Sequence, residues 1–94
     1  AEDGMIVVCL NLSSEDGSLL TGPDIITRGF VYVKESEDLM EEARQVVCNA
    51  VDDCLRRNIT DWVRLKTVIR DNLSDFLWKK MKRNPMILPI IMEV

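Results

Sequence analysis

The side chains that most often carry catalysis are scarce in this sequence. It contains no histidine, which removes the commonest general base, the commonest zinc ligand and the Ser/His and Cys/His nucleophile pairs. Five carboxylates cluster at Glu35, Glu37, Asp38, Glu41 and Glu42. They lack the regular ligand spacing of a calcium loop, and acidic side chains suit the start of a helix. We therefore predict no catalytic residue, no bound cofactor and no metal site in this chain.

The three cysteines are the remaining candidate nucleophiles or metal ligands. Cys9, Cys48 and Cys54 lie in apolar stretches, at spacings that fit neither a disulfide framework nor a zinc knuckle. Their odd number also argues against a fully paired set. We predict reduced thiols in the core of a cytoplasmic protein.

Basic side chains gather in the second half of the chain. Between 56 and 84, nine Lys or Arg stand against three Asp, with Trp62 and Trp78 among them. Such a surface could contact phosphates and stack on bases. However, both tryptophans fall on or near an apolar stripe, and a pI near 4.7 differs from the basic character of a nucleic-acid-binding domain. An auxiliary RNA contact is kept as an alternative function, carried by Arg28, Lys79, Lys80, Lys82 and Arg83.

The elements that would position these residues begin with two strands. Met5–Leu12 is apolar at seven of eight positions, and the Asp16-Gly17 pair that follows is typical of a hairpin turn. Leu19 and Leu20 should begin the return strand, and Gly22-Pro23-Asp24 should interrupt the chain before Ile25 and Ile26. A second piece of the return strand is predicted at Phe30–Val33, with Gly29 marking a bulge or a close backbone approach.

Two helices and a last strand follow. Apolar residues recur at spacings of three and four from about 37 to 56, after Ser36 as a plausible N-cap. A second stripe of this period runs from Trp62 to Met81, with Asn58 or Thr60 as its predicted cap and Pro85 ending it. The segment Met86–Met92 is the closing strand.

We therefore predict a single α+β domain over residues 1–94, ordered β-β-α-α-β. Its architecture should be a two-layer sandwich in which a three-stranded sheet packs on two antiparallel helices. Charged residues interrupt every apolar run before the roughly 18 residues that a membrane span requires, so no membrane contact is predicted. Because the chain starts at Ala1, we expect it to be a piece of a longer protein.

The strands carry more apolar residues than such a sandwich needs. A sheet covered on one face should alternate apolar and polar residues, but the first and last strands are apolar at both phases. This pattern favours a partner on the outer face, with Leu19–Thr27 folding back over that face as the alternative. Pro89 cannot donate to a ladder, so the last strand should lie at an edge. The residues assigned to the outer face are Met5, Val7, Cys9, Ile87, Pro89 and Ile91.

Two segments together resemble a known family. Asp24–Tyr32 reads DIITRGFVY and Lys82–Glu93 reads KRNPMILPIIME, which is a specific combination. With the helices between them, they resemble the C-terminal domain of ribonuclease J over residues 4–94. Arg28 and Tyr32 match the first motif.

The resemblance implies that catalysis and assembly reside in different domains of the parent protein. Ribonuclease J joins a metallo-β-lactamase domain, an inserted β-CASP domain and this C-terminal domain, and it processes and degrades RNA by 5′-to-3′ exonucleolytic and endonucleolytic cleavage. Its two zinc ions are held in the β-lactamase part, and no residue here corresponds to their ligands. The family's C-terminal domain is linked to dimer or tetramer assembly. The implied function is a non-catalytic oligomerisation and stabilising domain, with other domains or subunits of the parent as partners and RNA reached through the parent.

Overall fold

The computed structural model of the chain describes residues 3–29 and 36–94 and shows the predicted element order. The α+β class and the β-β-α-α-β succession are confirmed. The strand piece predicted at Phe30–Val33 lies outside the described residues. The elements are β1 (Met5–Leu12), β2 (Leu19–Arg28), α1 (Ser36–Arg56), α2 (Trp62–Met81) and β3 (Met86–Glu93).

The three strands form one mixed sheet in the order β2-β1-β3. β1 and β2 are an antiparallel hairpin, whose turn is closed by hydrogen bonds from Ser13 N to Ser18 O at 2.8 Å and from Gly17 N to Ser13 O at 2.9 Å. β3 returns after the two helices and runs parallel to β1. It lies at a sheet edge, as Pro89 predicted.

The second strand crosses Gly22 and Pro23 without ending. Cys9 pairs with Asp24 but Asn11 pairs with Thr21, so two residues of β2 lie opposite the single residue Leu10. This two-against-one pairing is a β-bulge, which lets the strand absorb the extra residue. The alternative in which Leu19–Thr27 folds back over the sheet is wrong, because these residues form a strand of the sheet itself.

Both helices cover one face of the sheet. An ion pair of 3.3 Å joins Glu42, near the start of α1, to Lys80, near the end of α2, so the helices are antiparallel. The alternate side chains of β1 point into this layer and are almost fully buried. The core residues are Ile6, Val8, Leu10 and Leu12 from β1, Ile87 and Ile91 from β3, Ala43, Val47, Ala50, Val51 and Cys54 from α1, and Leu65, Ile69, Leu73 and Leu77 from α2, with Ile59 between the helices.

The connection between the helices places the second cap later than predicted. Asn58 has a φ of 57° and ends α1, while the N–H of Ile59 donates to Cys54 O at 2.9 Å. The N-cap of α2 is Asp61, whose Oδ1 accepts from Val63 N at 3.0 Å. Asn58 and Thr60 were therefore wrong as caps, because residues 58–60 are needed to turn the chain.

No helix within residues 3–29 and 36–94 has the length and apolar character needed to cross a membrane.

Candidate interface on the sheet

The parallel register decides which side chains of β3 face outward. Ile6 pairs with Ile87, and Val8 pairs with Pro89. Paired residues share a face, so these two side chains of β3 point toward the helices with the buried residues of β1. Ile91 is 8% exposed and is buried in the same way. Assigning Ile87, Pro89 and Ile91 to the outer face was wrong.

The cause of this error is the composition of β3. Its apolar residues occupy both phases of the strand, so alternation alone cannot tell inside from outside. The register depends on how the two helices return the chain to β1, and no local pattern encodes it. The assignment of Met5, Val7 and Cys9 agrees with the structure, which leaves them half-buried on the side away from the helices.

Four residues on the outer side of β3 were not predicted as site residues from the sequence. They form one exposed row along the edge strand, next to the half-buried row of β1. The row consists of Met86, Leu88, Ile90 and Met92, exposed by 58%, 47%, 40% and 59%. Ile26 of β2, 47% exposed, continues the apolar surface across the sheet. We call this surface the outer face: Met5, Val7, Cys9, Ile26, Met86, Leu88, Ile90 and Met92.

Among the described residues, two charged side chains border the outer face on β2. Asp24 and Arg28 flank Ile26 on β2, and all three are exposed. Within the described residues neither Asp24 nor Arg28 has an ion-pair partner within 4 Å. At the far end, Asn11 Nδ2 donates to Thr21 Oγ1 at 2.7 Å. The surface is therefore apolar on β1 and β3 and carries one charge of each sign on β2.

Pro89 leaves the hydrogen bonds between β1 and β3 intact but removes a donor from the open edge of β3. Met86 N donates to Gly4 O and Val94 N donates to Leu12 O, both at 2.9 Å, so even-numbered residues of β3 bond toward β1. Backbone directions alternate along a strand, so Pro89 faces the open side. A further strand added there would meet no N–H at its centre. A partner is better accommodated on the face than along this edge.

The residues proposed for RNA contact do not form one free basic patch. Lys79 pairs with Asp75 at 2.9 Å, and Lys80 pairs with Glu42. The two remaining cations near the end of α2 also have neighbours: Arg83 lies 3.5 Å from Asp3, and Lys82 Nζ lies 5.4 Å from the ring centroid of Trp78. Arg28 lies on the sheet, in the other layer. These contacts reduce the positive charge offered to a phosphate backbone.

The thiols lie apart from one another in this fold. All three cysteines are free, but only Cys54 is fully buried, while Cys9 lies on the outer face. Burial raises the pKa of the Cys48 thiol, and the charges of Asp52 and Glu41 raise it further, which disfavours the nucleophilic thiolate. In the part of the chain that the structure describes, no three His, Cys, Asp or Glu side chains converge as metal ligands.

Comparison with known proteins assigns the whole chain to one kind of domain. Residues 1–94 match the family described as Ribonuclease J C-terminal domain. Ribonuclease J2 of Bacillus subtilis strain 168 is 46% identical over 94 residues, which is 100% of this chain and 17% of that protein. At the same coverage, Ribonuclease J 2 of Streptococcus pyogenes serotype M3 and that of Staphylococcus aureus strain NCTC 8325 are each 40% identical. The chain thus spans about one-sixth of the length of these relatives.

Proposed function

Because this chain belongs to the ribonuclease J C-terminal domain family, we propose that it is a non-catalytic assembly module of a longer ribonuclease. The resemblance in its two motifs is confirmed by that membership. Under this proposal the parent is a cytoplasmic, zinc-dependent hydrolase of RNA. Its metal and its catalytic groups lie outside residues 1–94, and this chain stabilises the parent and joins its subunits.

The observation that supports assembly is the exposed outer face. A contiguous row of exposed apolar side chains on a sheet face is typical of a surface that a partner covers. Removing apolar area from water contributes about 25 cal/mol per Å², part of which offsets the entropy lost on association. The four exposed side chains of β3 are the principal contributors.

A second copy of this chain is the proposed occupant of the outer face. In a two-fold contact the same patch meets itself, so residue i of one copy contacts residue j of the other and the reverse. Asp24 and Arg28 carry opposite charges at two places on the same strand. If the β2 strands of two copies lie antiparallel across the contact, Asp24 of each copy faces Arg28 of the other, which gives two ion pairs. The exposed apolar side chains of the two copies then pack against each other.

Sedimentation equilibrium tests this proposal on the full chain. We expect the wild-type chain to self-associate in the micromolar range, and Leu88→Lys with Ile90→Lys to weaken association by about tenfold or more, because the substitutions place charges in the apolar contact. Val63→Lys is the matched control, since Val63 is 73% exposed but lies on α2. Circular dichroism verifies that each variant folds.

Two results would count against the proposal. One is a wild-type chain that stays monomeric at several hundred micromolar. The other is an equal loss of association in Val63→Lys, which would place the contact on the helices.

A charge swap, Asp24→Arg with Arg28→Asp, should retain association, whereas either single reversal should weaken it.

A further inference from the structure

A second apolar surface lies at one end of the molecule, away from the outer face. There the β1–β2 turn, the end of α1 and the start of α2 enclose a cavity of about 320 Å³. This volume is near the lower limit of ligand sites, which range from about 300 to 1,000 Å³. It accommodates one large side chain rather than an extended cofactor.

The cavity has an apolar floor and an aromatic wall. Leu12, Val51, Ile59 and Leu65 line it, and each is at most 7% exposed. Trp62, the first residue of α2, also lines it and is 37% exposed. An exposed indole beside a buried aliphatic floor can cover an inserted apolar side chain on two sides.

The turn that forms the opposite wall is held in place before any ligand arrives. Besides the two hydrogen bonds that close the turn, Ser14 N donates to Val94 O at 3.1 Å, which ties the turn to the end of the sheet. Gly17 lies against Leu55, since a Cβ at this position would be 3.4 Å from Leu55 Cδ2. Little ordering remains to be done on binding, which favours affinity.

Among the described residues, each charged side chain that lines the cavity is acidic. Glu15 and Asp16 come from the turn, and Glu93 comes from the end of β3. Hydrogen bonds from Ser18 lower the pKa of Asp16, so this carboxylate is charged at neutral pH. The nearby cation Arg57 does not line the cavity and pairs with Asp53 at 2.9 Å. The rim therefore attracts cations and repels phosphates.

From these features we infer that the cavity is a docking site for a protein segment that inserts one large apolar side chain next to a Lys or Arg. The floor and Trp62 receive the apolar group, and Glu15, Asp16 and Glu93 receive the cation. A nucleic acid fits poorly, because its phosphates would face three carboxylates. This inference concerns a different surface from the proposed self-association and does not depend on it.

The probe for this site is the capped tetrapeptide acetyl-Lys-Phe-Leu-Arg-amide, titrated into the ¹⁵N-labelled full chain. We expect concentration-dependent shifts of the amide resonances of Gly17, Ile59 and Leu65, saturating in the millimolar range or below. Two matched probes separate the contributions to binding. The acidic peptide acetyl-Glu-Phe-Leu-Glu-amide and the apolar-free peptide acetyl-Lys-Gly-Gly-Arg-amide should each bind at least fivefold more weakly.

Variants of the chain test the same site from the protein side. Trp62→Ala should weaken binding of the basic peptide at least fivefold, whereas Trp78→Ala, on the same helix but outside the cavity, should leave it unchanged. Glu15→Gln with Glu93→Gln should weaken it about threefold to tenfold at low salt, and less at high salt, because exposed charges are screened. Both carboxylates are exposed, so neither change should unfold the chain.

Three results would overturn the inference. The first is equal binding of the acidic and basic peptides, which would make the cavity a nonspecific apolar surface. The second is a set of shifts confined to Leu88 and Ile90, which would place binding on the outer face. The third is no shift at any peptide concentration up to ten millimolar.

Discussion

Glycines with positive φ set the geometry at both ends of the central strand. Gly4, just before β1, has a φ of 82°, and a Cβ there would overlap the backbone of Arg28 and Gly29. Gly17 in the hairpin turn has a φ of 75° and faces only the tip of Leu55. Both positions need the left-handed conformation, but only the first also needs the missing side chain. The Asp16-Gly17 signal was visible in the sequence, whereas the close approach at Gly4 depends on the pairing of β1 with β2.

The two glycines should therefore respond differently to alanine. Gly17→Ala should lower the free energy of unfolding by about 1–2 kcal/mol, the usual cost of a left-handed L-residue. Gly4→Ala should cost more than this, because the backbone of β2 has to move as well. Urea unfolding of both variants measures the difference. Equal losses would mean that β2 yields without cost near Arg28.

The carboxylate of Asp16 gives the turn a pH dependence with a definite sign. Hydrogen bonds from Ser18 lower its pKa below the ordinary value of 3.8 in the folded chain. A lowered folded pKa adds stability above the unfolded pKa, and this contribution is lost as the pH falls through the folded pKa.

Comparing Asp16→Ala with the wild-type chain isolates this contribution. The wild-type chain should be the more stable of the two at pH 7, and the gap should close progressively below pH 4. Thermal unfolding between pH 2 and pH 7 follows the gap, with Glu15→Ala as the control on the same turn. A gap that is constant over this range would show that the Asp16 carboxylate acts only through its shape.

At the scale of elements, the helices could be predicted from their apolar periodicity and the strands from short apolar runs bounded by turn residues. These signals placed the ends of β1, α1, α2 and β3 within a few residues of their observed positions. The cap of α2 was missed because Asn58, Thr60 and Asp61 all have side chains that can cap. The inner and outer faces of β3 were missed because only the register with β1 distinguishes them. Local patterns therefore give the existence of an element better than its orientation.

Pro89 provides a prediction at this scale. Pro89→Val keeps an apolar side chain in the core but restores an N–H on the open edge of β3. We expect the variant to fold and to aggregate faster at high concentration, since the edge can then pair along its whole length. Ile91→Val is the matched control, because it lies on the same face of the same strand and adds no donor.

Light scattering over time, with thioflavin fluorescence as a second readout, compares the two variants. Equal aggregation of Pro89→Val and Ile91→Val would contradict the protective effect of the proline. In that case the exposed side chains of the outer face, rather than the edge, would drive the aggregation.

At the scale of the whole molecule, several basic side chains in the second half of the chain are paired with carboxylates. The net charge is −4, and two lysines of α2 pair with carboxylates of α1 and α2. Arg83, which follows α2, pairs with Asp3 in the segment before β1. The asymmetry between an acidic first helix and a basic second helix was visible in the sequence. The individual ion pairs were not, because a contact such as that of Lys80 with Glu42 depends on how the two antiparallel helices are aligned along each other.

The RNA-binding alternative can be tested on the parent protein. If α2 contacts RNA, replacing Lys79, Lys80 and Lys82 by Glu should weaken RNA binding strongly and reduce its salt dependence. On the assembly proposal we expect less than a threefold change. Filter binding at two salt concentrations decides between them, and replacing Arg44, Arg56 and Arg57 by Glu controls for net charge.

The position of β3 in the sheet also bears on when the protein can fold. The central strand pairs Met5 with Met86, so one of its two neighbours is translated about eighty residues after it. Until β3 leaves the ribosome, one edge of β1 has no hydrogen-bonding partner, and the core lacks the side chains of the third strand. Folding must then wait for near-completion of this part of the chain, and contacts of such long sequence separation are slow to form. A nascent chain that has emerged through α2 but lacks β3 would expose apolar surface of the hairpin and of both amphipathic helices, a form that chaperones and proteases can recognise.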